Sequence, residues 1–359
     1  MSLELSSLSL SGEYYRALVR GQLRGLWPGL QRSGLWLASV PYAWTVRLRN
    51  RLYDRGWKPN YRVPVPVVSV GNLTLGGTGK TPCVEYVARL YRQRDLRVAI
   101  LSRGYGSHRG RNDEAMVLEE NLADVPHLQG TDRVELASIA VEELESEILV
   151  LDDGFQHRRL HRDLDLVLLD ATDPWGHGYL FPRGLLREPR AGLRRAGVIA
   201  LTRCDQVDQT KIAQLRELVV LQAAGVPIVE TTHQPVELVS SGCGSAPLGE
   251  LTNRPVAGFC GLGNPDAFRQ TLAGLGAEVC AFRVFPDHHQ YTRTDVDDLR
   301  GWAAQQPAES VVVTTQKDLV KLRLGQLGTR PLWALRICFH IVAGQEALDH
   351  KLLSLVGSH

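Results

Sequence analysis

TLGGTGKT, residues Thr74 to Thr81, is the stretch on which the reading of this chain turns. Gly76, Gly77 and Gly79 allow backbone N–H groups to close around phosphate oxygens with no Cβ in the way, and a helix starting just after them adds positive potential. The general pattern is GxxxxGK[ST]; Thr74 stands at its first glycine, a departure softened by Gly76 and Gly77. Lys80 is expected to reach the β- and γ-phosphates and the Thr81 hydroxyl to ligate Mg2+. The whole segment, Thr74, Leu75, Gly76, Gly77, Thr78, Gly79, Lys80 and Thr81, therefore reads as a nucleotide-binding loop whose cofactors are ATP and Mg2+.

The flanks support this over a chance glycine-rich turn. Upstream, Val63 to Val70 is a β-branched run whose prolines confine it to a strand start or an edge. Downstream, Val84, Val87, Ala88 and Tyr91 recur at i, i+3, i+4 and i+7, the stripe of a helix facing a sheet, and Pro82 suits a first turn. Further apolar runs at Val98–Leu101, Ile148–Leu151, Leu166–Leu169, Val198–Leu201, Val256–Cys260 and Val311–Val313 alternate with helix-prone stretches such as Arg133–Glu147 and Thr210–Ala223. That alternation predicts an α/β fold: a P-loop, doubly wound, mostly parallel sheet.

A chain of 359 residues exceeds the size, about 250 residues, at which single cores tend to divide, so two lobes are expected. The looser stretch from Pro235 to Pro255 is the candidate boundary, giving a basic N-terminal segment (1–62), a P-loop core (63–240) and a C-terminal lobe (241–359). With 44% hydrophobic and 22% charged residues, the composition excludes general disorder. Cys83, Cys204, Cys243, Cys260, Cys280 and Cys338 lie far apart without CxxC spacing and read as reduced thiols of a cytosolic protein.

The net charge of +2 conceals an asymmetry: residues 1–63 carry ten Lys/Arg against three Asp/Glu, and four of the seven tryptophans (Trp27, Trp36, Trp44, Trp57). Arginine interleaved with tryptophan suits a lipid headgroup boundary. The longest uncharged stretch there, Ser33 to Val46, contains Pro41 and is shorter than a span of about 18 residues, so an interfacial helical anchor is expected. A pure nucleic-acid binder is disfavoured, because the rest of the chain is acidic.

A metal-holding acid should end a buried strand, and Asp152 and Asp153 follow Ile148–Leu151 in that way; either could touch Mg2+, or the pair could cap a turn. Asp170 is a weaker candidate. Two rivals share the loop. Dimerising regulatory or targeting ATPases carry KGGxGK[ST], but Leu75 occupies the position of their extra lysine. GTPases read guanine with [NT]KxD, which Thr202-Arg203-Cys204-Asp205 matches except for arginine in place of lysine.

Taken together, VGNLTLGGTGKTP (Val70–Pro82), LSRGYG (Leu101–Gly106), DDGFQHRRL (Asp152–Leu160), RGLLREP (Arg183–Pro189), FPDHHQYT (Phe285–Thr292) and TTQKDLVKL (Thr314–Leu322) resemble the tetraacyldisaccharide 4'-kinases of lipid A synthesis. The resemblance implies transfer of the ATP γ-phosphate to the 4'-hydroxyl of an acylated glucosamine disaccharide 1-phosphate at the cytoplasmic face of the inner membrane. It implies a smaller C-terminal α/β lobe and an N-terminal membrane helix, the enzyme being peripheral or singly anchored. It places an Asp-Glu pair at Asp113-Glu114, although the usual flanking Gly and Pro are absent, with Asp113 as base, His288 as its partner and Glu114 as a further Mg2+ ligand. Without the resemblance, Asp113 would read as a solvated loop acid. Arg103 and Arg187 are the favoured contacts to the acceptor, ahead of Arg158, Arg159 and Arg183. Gln156 and His157 could line the cleft or simply pack.

Overall fold

The computed structural model describes residues 12–104, 113–242 and 244–357; Tyr105 to Asn112, which hold the end of the LSRGYG segment, and Cys243 lie outside them. Among the described residues, thirteen strands form one sheet: β1 (Val67–Asn72), β2 (Val98–Ser102), β3 (His127–Gln129), β4 (Ile148–Asp152), β5 (Leu164–Asp170), β6 (Val198–Thr202), β7 (Ile228–Ser240), β8 (Gly244–Ala246), β9 (Pro255–Cys260), β10 (Glu278–Val284), β11 (Val311–Thr315), β12 (Gln326–Leu327) and β13 (Arg330–Ala343). Their main order is β10-β9-β11-β13-β7-β6-β5-β1-β4-β2-β3, with β12 on β13 and β8 on β7.

The sheet consists of two parallel stacks of opposite direction. From β3 to β7 every pairing is parallel, as are those from β10 to β13. The stacks meet where β7 and β13 pair antiparallel from Val239–Ala334 to Glu230–Ala343. Both strands are long enough to belong to both halves. Pro235, inside β7, sits at a register irregularity of this seam, which is where a residue without an N–H is tolerated in a sheet. The loose stretch from Pro235 thus begins inside a strand, and the break in regular structure comes later, around β8.

The strand expected from Val63 starts at Val67, because Pro64 and Pro66 cannot donate to the ladder. All six residues of β1 are buried, and Gly71 is needed in it: a Cβ there would stand 2.6 Å from the Phe155 Cβ. Helix α3 (Lys80–Arg92) follows the glycine loop, and its stripe of Val84, Val87, Ala88 and Tyr91 is fully buried against β1, β2 and β4.

Helices α4 (Asp113–Asn121) and α5 (Arg133–Glu142) follow β2 and β3, and α6 (Gln209–Gln222) follows β6. In the second half α7 (Pro265–Gly274), α8 (Arg293–Ala304) and α9 (Gln316–Leu322) cover β9–β11. The chain ends in α10 (Gln345–Leu353), whose Leu348 and Leu352 are buried in the core of the first half; Tyr91 Oη donates to the Leu352 carbonyl.

Before β1 lie α1 (Gly12–Val19) and the 29-residue α2 (Leu26–Asp54), which continues through Pro41. Ser39, Ala43 and Val46 are the buried face of α2. On the opposite face Leu26, Leu30, Leu37, Trp44 and Leu48 are exposed, a stripe at helical spacing. Among the described residues, no helix is long and apolar enough to cross a membrane.

Candidate active site

The loop after β1 is held on all sides. Thr74 bridges Leu186 antiparallel, Leu75 N donates to the Leu185 carbonyl at 2.7 Å, and Arg187 N donates to the Leu73 carbonyl at 2.7 Å. Asn72 Nδ2 donates to Thr78 Oγ1 at 2.9 Å. Gly76 and Gly79 have φ of 116° and 84°, in the region where glycine is favoured. Gly79 also faces the His233 ring of β7, and a Cβ at position 79 would lie 2.0 Å from its Nε2.

β4 adjoins β1, so its carboxyl end delivers Asp152 and Asp153 beside the loop. The two differ. Asp153, left-handed at φ 52°, is 3.5 Å from Lys80 Nζ, and Arg187 donates to both of its oxygens at 2.7 Å. Burial disfavours its charge, yet Lys80 and Arg187 hold its pKa below the ordinary value. Asp152 is buried and its Oδ1 has no hydrogen-bond partner among the described residues. Burial, reinforced by Glu114 and Asp153 against the pull of Lys80 and Lys317, pushes its carboxyl up to about 7.

Arg187 is thus brought to the loop by the Leu185–Arg187 segment but is engaged with Asp153, and Gln156 Oε1 accepts from it at 3.4 Å. Gln156 Nε2 donates to the Asn72 carbonyl and to Glu188, both at 2.9 Å. Fully buried Glu188 also accepts from Arg195 and from Asn50 of α2, while Tyr42 of α2 donates to the Arg187 carbonyl at 2.8 Å. Arg158 pairs with Asp54 at 2.7 Å and donates to the Asn50 carbonyl. The long helix is therefore fastened to the residues that flank the loop. Arg103 is exposed at the carboxyl end of β2, two strands from β1.

The second half contributes a basic face. Asp113 opens α4 and is 6% exposed; His288, in the turn after β10, places Nδ1 at 3.0 Å from its Oδ2. His288 is held at φ 58°, a conformation rare for a non-glycine residue and frequent at functional sites. Its turn is braced by packing among Phe285, His289, Tyr291 and Phe259, and by Tyr291 Oη donating to Asp318 at 3.1 Å. Burial opposes the charge on Asp113, but the His288 hydrogen bond and the Lys317 and Lys321 charges outweigh it and bring the carboxyl down to about 2. The same hydrogen bond raises the His288 pKa, against its partial burial.

The TTQKDLVKL segment carries two lysines whose role only the fold makes visible. Lys317 Nζ donates to Glu114 at 2.6 Å, and Lys321 Nζ stands 3.8 Å from Asp113 and 3.3 Å from Asp318. Gln316 donates to Asn121 at 2.6 Å, and Asn121 donates to Glu85 of α3 at 2.8 Å, so α3, α4 and α9 share one polar network. The available signal was the i, i+4 spacing of two lysines on a short helix opened by Thr315, whose side chain caps it through Asp318 N at 3.3 Å. Among the described residues, no three His, Cys, Asp or Glu side chains converge as a metal site; of the nominated set of Thr81, Asp152, Asp153 and Glu114, Asp153 lies 3.5 Å from Lys80 Nζ, and the Lys80 charge also acts on Asp152 and Glu114.

A nucleotide loop alone would suit a switch or a motor. A strand-loop-helix of this kind, in a sheet whose other half sets an imidazole on a carboxylate of the first, is the class of a P-loop phosphotransferase. Comparison with known proteins narrows the class. Residues 31–357 match the family described as tetraacyldisaccharide-1-P 4'-kinase, and the chain belongs to that family. It is 43% identical over 345 residues to the tetraacyldisaccharide 4'-kinase of Anaeromyxobacter sp. (strain Fw109-5), covering 90% of each chain. It is 37% identical over 373 residues to that of Syntrophus aciditrophicus (strain SB), covering 94% of this chain and 99% of the relative. The fold matches the crystal structure of the "apo" form of LpxK from Aquifex aeolicus in complex with ATP, at a TM-score of 0.74 and 32% identity, over 91% of this chain and 100% of that one.

Proposed function

We propose that this chain transfers the γ-phosphate of ATP to the 4'-hydroxyl of an acylated glucosamine disaccharide 1-phosphate, with His288 as general base and Asp113 as the group that orients it. The carrying observation is the contact between Asp113 and the more exposed His288 across the two halves. The family resemblance gives proton removal to Asp113, with His288 as its partner. The His288 side chain is 58% exposed and that of Asp113 6%, so the imidazole is the group an acceptor hydroxyl can reach, and the carboxylate beside it favours its protonated form. His288 would take the hydroxyl proton as the oxygen attacks the γ-phosphorus; ADP leaves with the electron pair of the broken P–O bond. Lys80 would neutralise the phosphates, and Asp153, braced by Arg187, would hold Lys80 in place.

The unpartnered, buried Asp152 Oδ1 fits a divalent cation, and Asp152, the Thr81 hydroxyl and Glu114 are the residues that would hold Mg2+. When bound, Mg2+ supplies charge neutralisation across the β- and γ-phosphates. Asp153 is the poorer ligand, since Arg187 and Lys80 engage its oxygens, and Glu114 would have to share its carboxylate with Lys317, which donates to it at 2.6 Å. Arg187 and Arg103 remain candidates for the acceptor's 1-phosphate, Arg187 only if it can serve Asp153 as well.

The exposed apolar stripe of α2, with the basic residues around it, supports a peripheral seat on the cytoplasmic face of the inner membrane. The acyl chains of the acceptor would stay in lipid while its sugar reaches the loop. The test is direct: purified protein with MgATP and the acylated disaccharide 1-phosphate in detergent should yield a product bearing one more phosphate, at the 4' position. Absence of product from a folded sample would refute the assignment.

A further inference from the structure

The TRCD segment, Thr202–Asp205, does not serve the chemistry above, and its arginine has a defined place. Arg203 follows β6 in a left-handed conformation at φ 58°. From there its side chain crosses the carboxyl ends of three adjacent strands. One terminal nitrogen pairs with Asp170 at the end of β5, and the other donates to the Gly77 carbonyl of the loop after β1 at 2.7 Å. Asp170 is itself fixed, because its other oxygen accepts from Thr172 N at 3.0 Å and Thr172 Oγ1 at 2.6 Å. Asp205, at the position of a guanine-reading acid, is exposed.

We propose that Arg203 is a positioning residue that clamps the phosphate loop in its nucleotide-receptive shape, with Asp170 aiming it. The inference rests on the reading of Thr74–Thr81 as the ATP loop. On one side of the arc Lys80 is held by Asp153. On the other, Arg203 fixes Gly77 while the His233 ring covers Gly79. Burial and the Arg203 charge lower His233 to about 4, so the ring against the loop is neutral. A donor on the Gly77 carbonyl fixes that peptide, and with it the neighbouring N–H groups that would face phosphate oxygens. A planar fork grips a carboxylate and a carbonyl through two different nitrogens in fixed directions, whereas an ammonium on a flexible stem must reach both from one atom and holds the geometry less well. That accounts for arginine where a guanine-reading motif has lysine.

The experiment measures, for the parent and for Arg203→Ala, Arg203→Lys, Asp170→Asn and the Arg203→Ala/Asp170→Asn double variant, the Kd of a non-hydrolysable ATP analogue and the KM for ATP and for acceptor. Arg203→Ala should raise the Kd and the KM for ATP by about tenfold, the scale of one charge-assisted hydrogen bond, and leave the acceptor KM within twofold. Arg203→Lys and Asp170→Asn should fall between parent and Arg203→Ala, and the double variant should be no worse than Arg203→Ala alone. An ATP-analogue Kd within twofold of the parent in folded Arg203→Ala, additive losses in the double variant, or a shift confined to the acceptor KM would each overturn the clamp. A parent protein that binds no ATP analogue would instead refute the reading of the loop.

Discussion

Asp113 and His288 are joined at 3.0 Å, yet the carboxylate is 6% exposed and the imidazole 58%. The buried partner cannot easily meet an acceptor hydroxyl; the exposed one can. This asymmetry supports the proposed division of roles, in which the exposed imidazole meets the acceptor and the buried carboxylate orients it.

His288→Ala and Asp113→Ala should each lower kcat by about two to four orders of magnitude while changing the affinity for an ATP analogue less than threefold. The double variant should be little worse than the worse single one, since the two act as a unit. Single-turnover phosphoryl transfer and analogue titration check this, and a variant that loses nucleotide binding instead would contradict the assignment.

The acid limb of the kcat profile should report His288. A base must be unprotonated, so kcat rises with pH through the His288 pKa, which Asp113 has raised above the ordinary value of about 6.5. Asp113→Asn removes the charge that raises it, so the limb should move to lower pH even as the maximum falls. A profile whose midpoint does not shift would exclude His288 as the titrating base.

How far this site was legible in advance follows from what each residue depends on. The loop, its helix and the apolar strands are local patterns of period and turn chemistry, and β1, β2, β4, β5, β6, β9 and β11 lie where those runs predict them. β7 and β13 were not foreseen: they are long, only partly buried and mixed in polarity, one broken by Pro235, because they run between two halves and not through one core. Asp113 and His288 were named only through family resemblance. Their contact joins residues 175 apart, and no local rule reports it. The lysines of α9 were passed over because a charged pair on a short helix reads as a solvated face unless a distant acid is known to meet it.

Asp152 makes stability depend on pH and on cation. Its folded pKa, about 7, lies above the ordinary carboxylate value of 3.8, so the folded state binds the extra proton and stability falls as pH rises between the two. Without cation, Asp152→Asn should therefore melt higher than the parent at pH 8 and close to it at pH 4. Mg2+ should raise the parent Tm more at pH 8 than at pH 5.5, and raise that of Asp152→Asn much less. Thermal scans across pH and Mg2+ measure all of this; an Mg2+ effect independent of Asp152 would move the cation elsewhere.

The stripe on α2 separates membrane seating from chemistry. Leu37→Glu with Trp44→Glu should reduce sedimentation with anionic vesicles at least about tenfold, given the apolar area withdrawn from lipid. The ATP-analogue Kd should be unchanged, because both side chains point away from the buried face that meets the core. Unaltered vesicle binding would rule out this face as the seat.

The antiparallel seam of β7 and β13, with α10 beyond it, means that the chain leaves the nucleotide-binding half and comes back to complete it. A fragment ending at Ser240 would lack the strand that covers the edge of β7 and the leucines that close the core beneath α3. The halves are therefore not modules in tandem: one is an insertion within the other. Exchanging the acceptor-facing half between relatives would need two junctions, one near residue 241 and one inside β13, because a single crossover near residue 241 would pair β7 of one parent with β13 and α10 of the other.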